Sequence, residues 1–177
     1  MINPVAYWAQ RGKNYKRRFQ RTDEFERQEE TLLEALSEIE FESVLEIGCG
    51  FGRITQLVRP LASDYVAIDV SHDQIREARR LVPDVTYITS SIQNFVPHRS
   101  WDLVLAVEVL MHIPPDEVRE VIRKMERMSQ SWVVTVDWAL PIDRRPSSHN
   151  WLHDYDALLD PVKTYQIPNS KQQVFVS

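Results

Sequence analysis

Short apolar runs alternate with longer amphipathic stretches along most of the chain. The stretches between the runs repeat apolar residues every three or four positions, which is the spacing of helices that bury one side. Strands that alternate with helices pair in parallel through right-handed crossovers, so the pattern predicts an α/β fold with a mostly parallel sheet. Five runs have the length and composition of buried strands: Val44–Ile47, Tyr65–Asp69, Val85–Ile88, Trp101–Val107 and Trp132–Asp137.

End signals bound several of the helices. Thr22, followed by two acids, predicts the N-cap of a long helix that leads into the first strand. Ser71 is the expected cap of a helix over Ser71–Leu81, and Pro114-Pro115 predicts the start of another. A shorter helix is predicted over Trp151–Leu159.

The C-terminal part departs from this alternation. Val162–Ile167 and Gln173–Val176 are predicted as the strands of an antiparallel hairpin, because a Pro-Asn-Ser-Lys turn separates them. The polar, proline-containing stretch from Trp138 to Asn150 is too long for a plain connection, which predicts a functional loop.

Composition narrows the class of protein. A chain of 177 residues with 43% apolar and 27% charged residues is typical of a soluble globular protein, so we expect one domain over residues 1–177. The formal net charge of −5 argues against a general nucleic-acid-binding surface. The single cysteine, Cys49, excludes an internal disulfide. We see neither a signal peptide nor an apolar run of the ~20 residues that span a membrane, so we expect a cytoplasmic protein.

Three of the four glycines lie in one short loop, at Gly48, Gly50 and Gly52. The loop joins a predicted strand to a predicted helix, which is how a βαβ unit begins. Glycine is needed there when the turn visits positive φ and a ligand approaches bare backbone. The clustering therefore predicts a ligand-binding loop.

The spacing of this loop indicates which ligand it binds. A dinucleotide loop has the spacing G-x-G-x-x-G, whereas this chain has G-x-G-x-G with Arg53 at the position of the third glycine. Glu46, two residues before the loop, would repel a diphosphate but suits a ligand that carries an ammonium or sulfonium group. S-adenosylmethionine (SAM) carries both cations, together with a carboxylate for the loop amides.

The run Glu46-x-Gly48-x-Gly50-x-Gly52 resembles motif I of the class I SAM-dependent methyltransferases, in particular the small single-domain enzymes of type 11/12. The resemblance covers roughly residues 40–177, the expected core. It implies a Rossmann-like, doubly wound, mostly parallel seven-stranded sheet of order 3-2-1-4-5-7-6, with helices on both faces and the antiparallel hairpin at its end. The segment Tyr7-Trp8-x-x-Arg11-Gly12-x-x-Tyr15 resembles the N-terminal cap that folds over bound SAM in small members, so residues 1–22 are the expected cap.

The resemblance also assigns cofactor contacts. Asp69 ends the second strand, where an acid accepts hydrogen bonds from ribose hydroxyls; its alternative role is a cap of the following helix. Ser91 stands where relatives carry an acid that binds the adenine amino group, and Ile92 would pack on the ring. The expected SAM contacts, with S-adenosylhomocysteine (SAH) as product, are Tyr15, Glu46, Gly48, Cys49, Gly50, Gly52, Arg53, Asp69, Val70, Ser91, Ile92 and Glu108.

Methyl transfer to oxygen or protonated nitrogen also needs a proton acceptor. Three histidines are candidates: His112, His149 and His153. We expect His149, in the loop after the fifth strand, to be the base, with His112 on the opposite wall and His153 facing the helix that it begins. Asp137 and Glu108 are possible orienting partners.

A metal is not expected. The 3′-terminal RNA ribose methyltransferases carry a Glu-x-x-Glu-His metal motif after the fourth strand, and here Met111 replaces its second acid.

The acceptor is less constrained by sequence. A small molecule or saccharide, methylated at oxygen, fits the short chain and the long loop. Two alternatives stay open. An RNA or protein methyltransferase would use as its contact surface the basic N-terminal run, which consists of Arg11, Lys13, Lys16, Arg17, Arg18 and Arg21. A non-catalytic SAM-binding module would only bind the cofactor. The sequence does not fix the oligomeric state.

Overall fold

A single seven-stranded sheet forms the centre of the computed structural model, which describes residues 3–12, 15–139 and 149–177. Its strands are β1 (Ser43–Ile47), β2 (Asp64–Asp69), β3 (Thr86–Thr89), β4 (Trp101–Val107), β5 (Ser129–Trp138), β6 (Lys163–Gln166) and β7 (Gln172–Val176). The order is β3-β2-β1-β4-β5-β7-β6, in which β7 is antiparallel to β5 and to β6 and the other neighbouring pairs are parallel. The predicted fold class and strand order are confirmed.

Helices cover both faces of the sheet. They are α1 (Pro4–Arg11), α2 (Tyr15–Arg18), α3 (Asp23–Ser37), α4 (Arg53–Val58), α5 (His72–Leu81), α6 (Val118–Met128) and α7 (Tyr155–Leu159). One apolar cluster packs α3, α4 and α5 against the sheet, and a second packs α6 and α7 against its other face. Among the described helices, none is long and apolar enough to cross a membrane.

The position of β1 explains where a ligand can bind. All five of its residues are buried, because β2 and β4 flank it and helices cover both of its faces. Ile47 is in register with Ile68 and Ala106, so the three strands end together. The glycine loop therefore leaves the sheet beside the ends of β2 and β4, on the edge where α/β folds bind ligands.

Two predicted helix starts are wrong in position. α6 begins at Val118 and not at the prolines, since Pro114 first accepts turn hydrogen bonds from Glu117 and Val118. α7 begins at Tyr155 because the Asp154 side chain accepts the Ala157 N–H and caps it there. Thr22 lies at the N-cap of α3 as predicted, but its side chain makes no capping bond.

The N-terminal segment packs on the ligand-binding edge through α1 and α2. Gly12 joins the two helices and is buried against the start of α5. A Cβ at Gly12 would lie 2.0 Å from Ser71 Oγ, so no larger residue fits without displacing a helix. Most of the predicted functional loop, residues 140–148, lies outside the described residues.

Candidate active site

A cavity of about 340 Å³ opens at the carboxyl ends of β1, β2 and β4. The glycine loop forms its floor, and side chains of α1 and α2 form its outer wall. Most of the predicted site residues line it: Tyr15, Glu46, Gly48, Cys49, Gly50, Arg53, Asp69, Val70, Ser91, Ile92, Glu108, His112 and His149. The volume falls within the range of small-molecule sites.

The glycine loop has the backbone that its sequence predicted. Gly48, Gly50 and Gly52 have φ values of 71°, 56° and 94°, in the left-handed region. Gly48 is also sterically required, because a Cβ there would lie 2.5 Å from Val109 Cγ2. Gly52 lies behind the cavity, against α5.

Asp69 joins the glycine loop to the end of β2. Its Oδ2 accepts the Gly50 N–H at 2.9 Å, and its Oδ1 accepts the Ser71 N–H at 2.7 Å. The cap of α5 is Ser71, whose hydroxyl accepts the Gln74 N–H. Burial raises the pKa of Asp69. The carboxylate thus orders the loop and faces the cavity, whereas the cap is a separate residue.

Glu46 is fully enclosed at the base of the cavity. The hydroxyls of Thr55 and Tyr65 donate to its Oε2 at 2.5 and 3.0 Å. Burial raises its pKa from 4.5 to about 7, although both hydroxyls oppose the shift. An acid in this state ionises readily when a cation approaches.

Gln74 Oε1 and Trp8 Nε1 are buried in the cavity wall and have no hydrogen-bond partner in the described part of the chain. Such atoms are rare in folded proteins and indicate a ligand or water that completes them. Gln74 lies within 4 Å of the Gly50 Cβ position, beside Asp69. Trp8 was expected as part of the N-terminal cap. Gln74 was not predicted, although the first turn of α5 follows β2 at the ligand-binding edge.

Ser91 and Ile92, the residues expected beside the adenine, are neighbours in the cavity wall. Ser91 is buried, and its Oγ accepts the Asn94 N–H at 3.2 Å. Ile92 is 4% exposed and lines the cavity beside it.

Glu108 follows β4 in a backbone conformation that only glycine adopts easily, with φ 57°. Its N–H donates to Val136 O at 2.7 Å. Its Oε1 accepts from Gln172 Nε2 at 2.7 Å, and its Oε2 lies 3.5 Å from Arg53 Nη2. The side chain therefore lies between the glycine loop and β7 and faces the cavity.

One wall of the cavity is aromatic. His149 stacks on Tyr7 with ring centroids 4.5 Å apart, and on His112 at 5.6 Å. The ring centroids of Trp8 and His112 lie 4.8 Å apart. The expectation that His112 and His149 approach from opposite walls is wrong, because the turn after β4 brings the rings side by side.

His112 has a defined tautomer. Its Nδ1 lies 3.3 Å from His149 O, and a carbonyl can only accept, so Nδ1 carries the proton and Nε2 the lone pair. Burial lowers its pKa to about 4, so it is neutral at physiological pH.

His153 and Asp137 support the turn after β4. His153 Nε2 lies 3.1 Å from Leu110 O and 3.0 Å from Ile113 O, so it donates to both carbonyls. Asp137 is fully buried, and its Oδ1 accepts the Met111 N–H. Neither residue lines the cavity. His153 precedes α7 and does not begin it, which corrects its expected place. Asp137 bonds the backbone of the turn instead of a histidine, which corrects its expected orienting role.

Metal binding has no support in the described residues, where no group of three or more His, Cys, Asp or Glu side chains is arranged to hold an ion.

Comparison with known proteins agrees with this geometry. Residues 44–131 match the model of a methyltransferase domain. Trans-aconitate 2-methyltransferase of Afipia carboxidovorans is 29% identical over 124 residues, which are 69% of this chain and 48% of that protein. The enzyme of the same name from Escherichia coli is 34% identical over 85 residues, 47% of this chain and 34% of that one. The chain thus spans half or less of the length of these curated relatives.

Solved structures share the fold over almost the whole chain. DhpI in complex with SAH superposes with a TM-score of 0.78 at 20% identity, covering 99% of this chain and 95% of DhpI. The N-methyltransferase NodS of Bradyrhizobium japonicum WM9 gives 0.76 at 20% identity, covering 89% and 97%.

Proposed function

Because this chain belongs to the class I SAM-dependent methyltransferases, we propose that it transfers the methyl group of SAM to an oxygen atom of a small-molecule or saccharide acceptor. The observation that carries the proposal is one cavity that combines a glycine loop, three ligand-facing acids and a wall of two histidines. SAM would supply an electrophilic methyl group on a sulfonium, which is already a good leaving group.

The residues around the cavity fit this cofactor. Asp69 and the unpartnered Gln74 Oε1 offer acceptors to ribose hydroxyls beside the glycine loop. Ser91 and Ile92 suit the base, and Glu46 and Glu108 suit the cationic end. A dinucleotide would bring a diphosphate against the same acids, so we expect no binding of NAD.

Two features favour an oxygen acceptor of small size. Side chains of α1 and α2 line the cavity, which narrows the approach of a macromolecule to the cofactor. The buried Trp8 Nε1 is a donor that an acceptor oxygen would satisfy. The curated relatives are named for trans-aconitate, a carboxylic acid, whereas NodS is an N-methyltransferase, so the atom methylated has to be measured.

His149 is the proposed general base. A base works best when its pKa is near the working pH, and His112, with a pKa of about 4, is too weakly basic. The Nδ1–H of His112 instead donates to the His149 backbone and holds the residue against Tyr7. In-line positioning of the two substrates would supply the rest of the rate acceleration.

An acceptor screen with methyl-labelled SAM tests the activity, and the label position in the product decides between oxygen and nitrogen. We expect labelling of small hydroxylated or carboxylated compounds, and RNA or protein as the labelled fraction would favour the basic N-terminal run instead. A chain that binds SAM and labels nothing is a binding module.

With the acceptor known, His149→Ala should lower kcat about 10²-fold, the usual effect of losing a general base, while SAM affinity is kept. His98→Ala, on an exposed histidine away from the cavity, is the matched control. Normal turnover of His149→Ala together with loss of activity in His112→Ala would move the base to His112.

A further inference from the structure

Two buried side-chain amides connect Arg53 to Glu108 through a series of hydrogen bonds. Arg53 Nη2 donates to Gln28 Oε1 at 2.7 Å, and Gln28 Nε2 donates to Gln172 Oε1 at 2.6 Å. Gln172 Nε2 then donates to Glu108 Oε1 at 2.7 Å. Gln28 is 1% and Gln172 3% exposed, so both amides have left water completely. Burial of this kind is unfavourable unless every bond is made.

The three hydrogen bonds that link Arg53 to Glu108 all run in one direction. The guanidinium can only donate and the carboxylate can only accept, so the two charged ends fix the orientation of both amides between them. A reversed Gln172 would place its carbonyl against the carboxylate of Glu108. Aligned bonds polarise one another, which holds the Glu108 oxygen more firmly than one bond would.

Glu108 shares the cation of Arg53 with Glu29. Arg53 Nη1 lies 3.0 Å from Glu29 Oε1, closer than its other nitrogen lies to Glu108, at 3.5 Å. The nearest hydrogen-bond donor to Glu108 is the neutral Gln172. The amides therefore orient the carboxylate without neutralising it.

The backbone of Glu108 is consistent with a functional role. Non-glycine residues in the left-handed region persist where the surroundings hold them, and they occur often at binding sites. At Glu108 this conformation follows the end of β4 and directs the side chain into the cavity. Burial raises the pKa of Tyr15, and the charge of Glu108 raises it further.

We propose that Gln28 and Gln172 are positioning residues that hold Glu108 to receive the α-ammonium group of SAM. The inference rests on the proposed function, because it takes SAM as the ligand. An ammonium group has N–H donors for the remaining lone pairs of the carboxylate, whereas a sulfonium has none.

Calorimetry with two ligands tests the inference. SAH keeps the ammonium group, and 5′-methylthioadenosine lacks the whole amino-acid part. Gln172→Met keeps the length of the side chain but removes its hydrogen bonds, so we expect the Kd for SAH to rise about tenfold and that for 5′-methylthioadenosine to stay within about twofold. Gln28→Met should act in the same direction. The neighbouring Gln173→Met is the control, because its amide bonds Gln166 on the exposed side of β7.

A double-mutant cycle separates positioning from general stability. If Gln172 acts through Glu108, Gln172→Met should add little to the loss already caused by Glu108→Gln. Additive losses, an unchanged Kd for SAH, or an equal weakening of both ligands would each overturn the inference. Failure of the unaltered protein to bind SAH would instead overturn the proposed function, and that measurement comes first.

Discussion

At the scale of the residue, Glu46 makes the free energy of unfolding depend on pH, which its sequence motif does not suggest. The carboxyl is 2% exposed and its pKa is raised to about 7, so the folded state holds its proton more tightly than the unfolded chain does. Stability from this group is complete below pH 4.5 and is lost as the pH rises through 7. At about 1.4 kcal/mol per pKa unit the loss is roughly 3 kcal/mol.

Glu46→Gln should remove this dependence, since an amide can still accept from the two hydroxyls and has no proton to lose. We expect the free energy of unfolding of the unaltered protein to fall between pH 5 and pH 8, and that of the variant to change much less. Urea titrations at four pH values measure both, with the exposed Glu34→Gln as control. Parallel pH profiles for the three proteins would show that Glu46 does not titrate in this range.

Some residue roles were predictable and others were not. Glu46, Gly48 and Asp69 belong to a local motif, and their spacing alone places them at the end of β1 or β2. Gln28 and Gln172 are far apart in sequence, yet a weak signal existed. Gln172 shares its strand face with Val174 and Val176, and Gln28 precedes Leu32 and Leu36 at helical spacing, so each amide continues an apolar face.

At the scale of the element, the cap is held by one close contact. The φ of Gly12 is −56°, which any residue adopts, so glycine is required only because α1 and α5 approach so closely there. A methyl group would press α1 and α2 away from the ligand-binding edge, with Tyr7, Trp8 and Tyr15 attached to them.

Gly12→Ala should therefore open the cap. We expect faster hydrogen exchange in residues 4–12 and a Kd for SAH raised about tenfold, with the stability of the sheet little changed. Gln10→Ala, on the exposed side of the same helix, is the control. Added SAM should slow exchange in this segment of the unaltered protein, and equal exchange with and without SAM would make the cap a fixed structural helix.

Helix boundaries were the least predictable feature of the elements. Pro114 and Pro115 fit the first turn of a helix, but they lie in a hydrogen-bonded turn, and α6 begins after it, at Val118. Asp154 was counted within the last helix, although its carboxylate caps it. In both cases several residues were plausible starts, and tertiary packing selected one.

At the scale of the whole molecule, alternation of strands and helices was enough to predict the parallel part of the sheet. Short right-handed crossovers leave few ways to arrange five strands. The antiparallel hairpin was recognisable from its turn, but periodicity does not say that β7 lies inside β6; that order came from the family resemblance. The histidine wall depended on the turn after β4, which no local pattern describes.

The hydrogen bond between Gln28 and Gln172 joins residues that lie 144 positions apart in sequence. It can therefore form only late in the synthesis of residues 1–177. During synthesis the glycine loop, Asp69 and Glu108 all exist before β7 does. At ~5–20 residues per second, a ribosome needs about 3–13 s to add the 64 positions that lead from Glu108 to Gln172. For that interval the carboxylate has no amide beside it. A nascent chain should therefore acquire its parallel strands before its full affinity for SAM, so ligand binding would report the docking of β7.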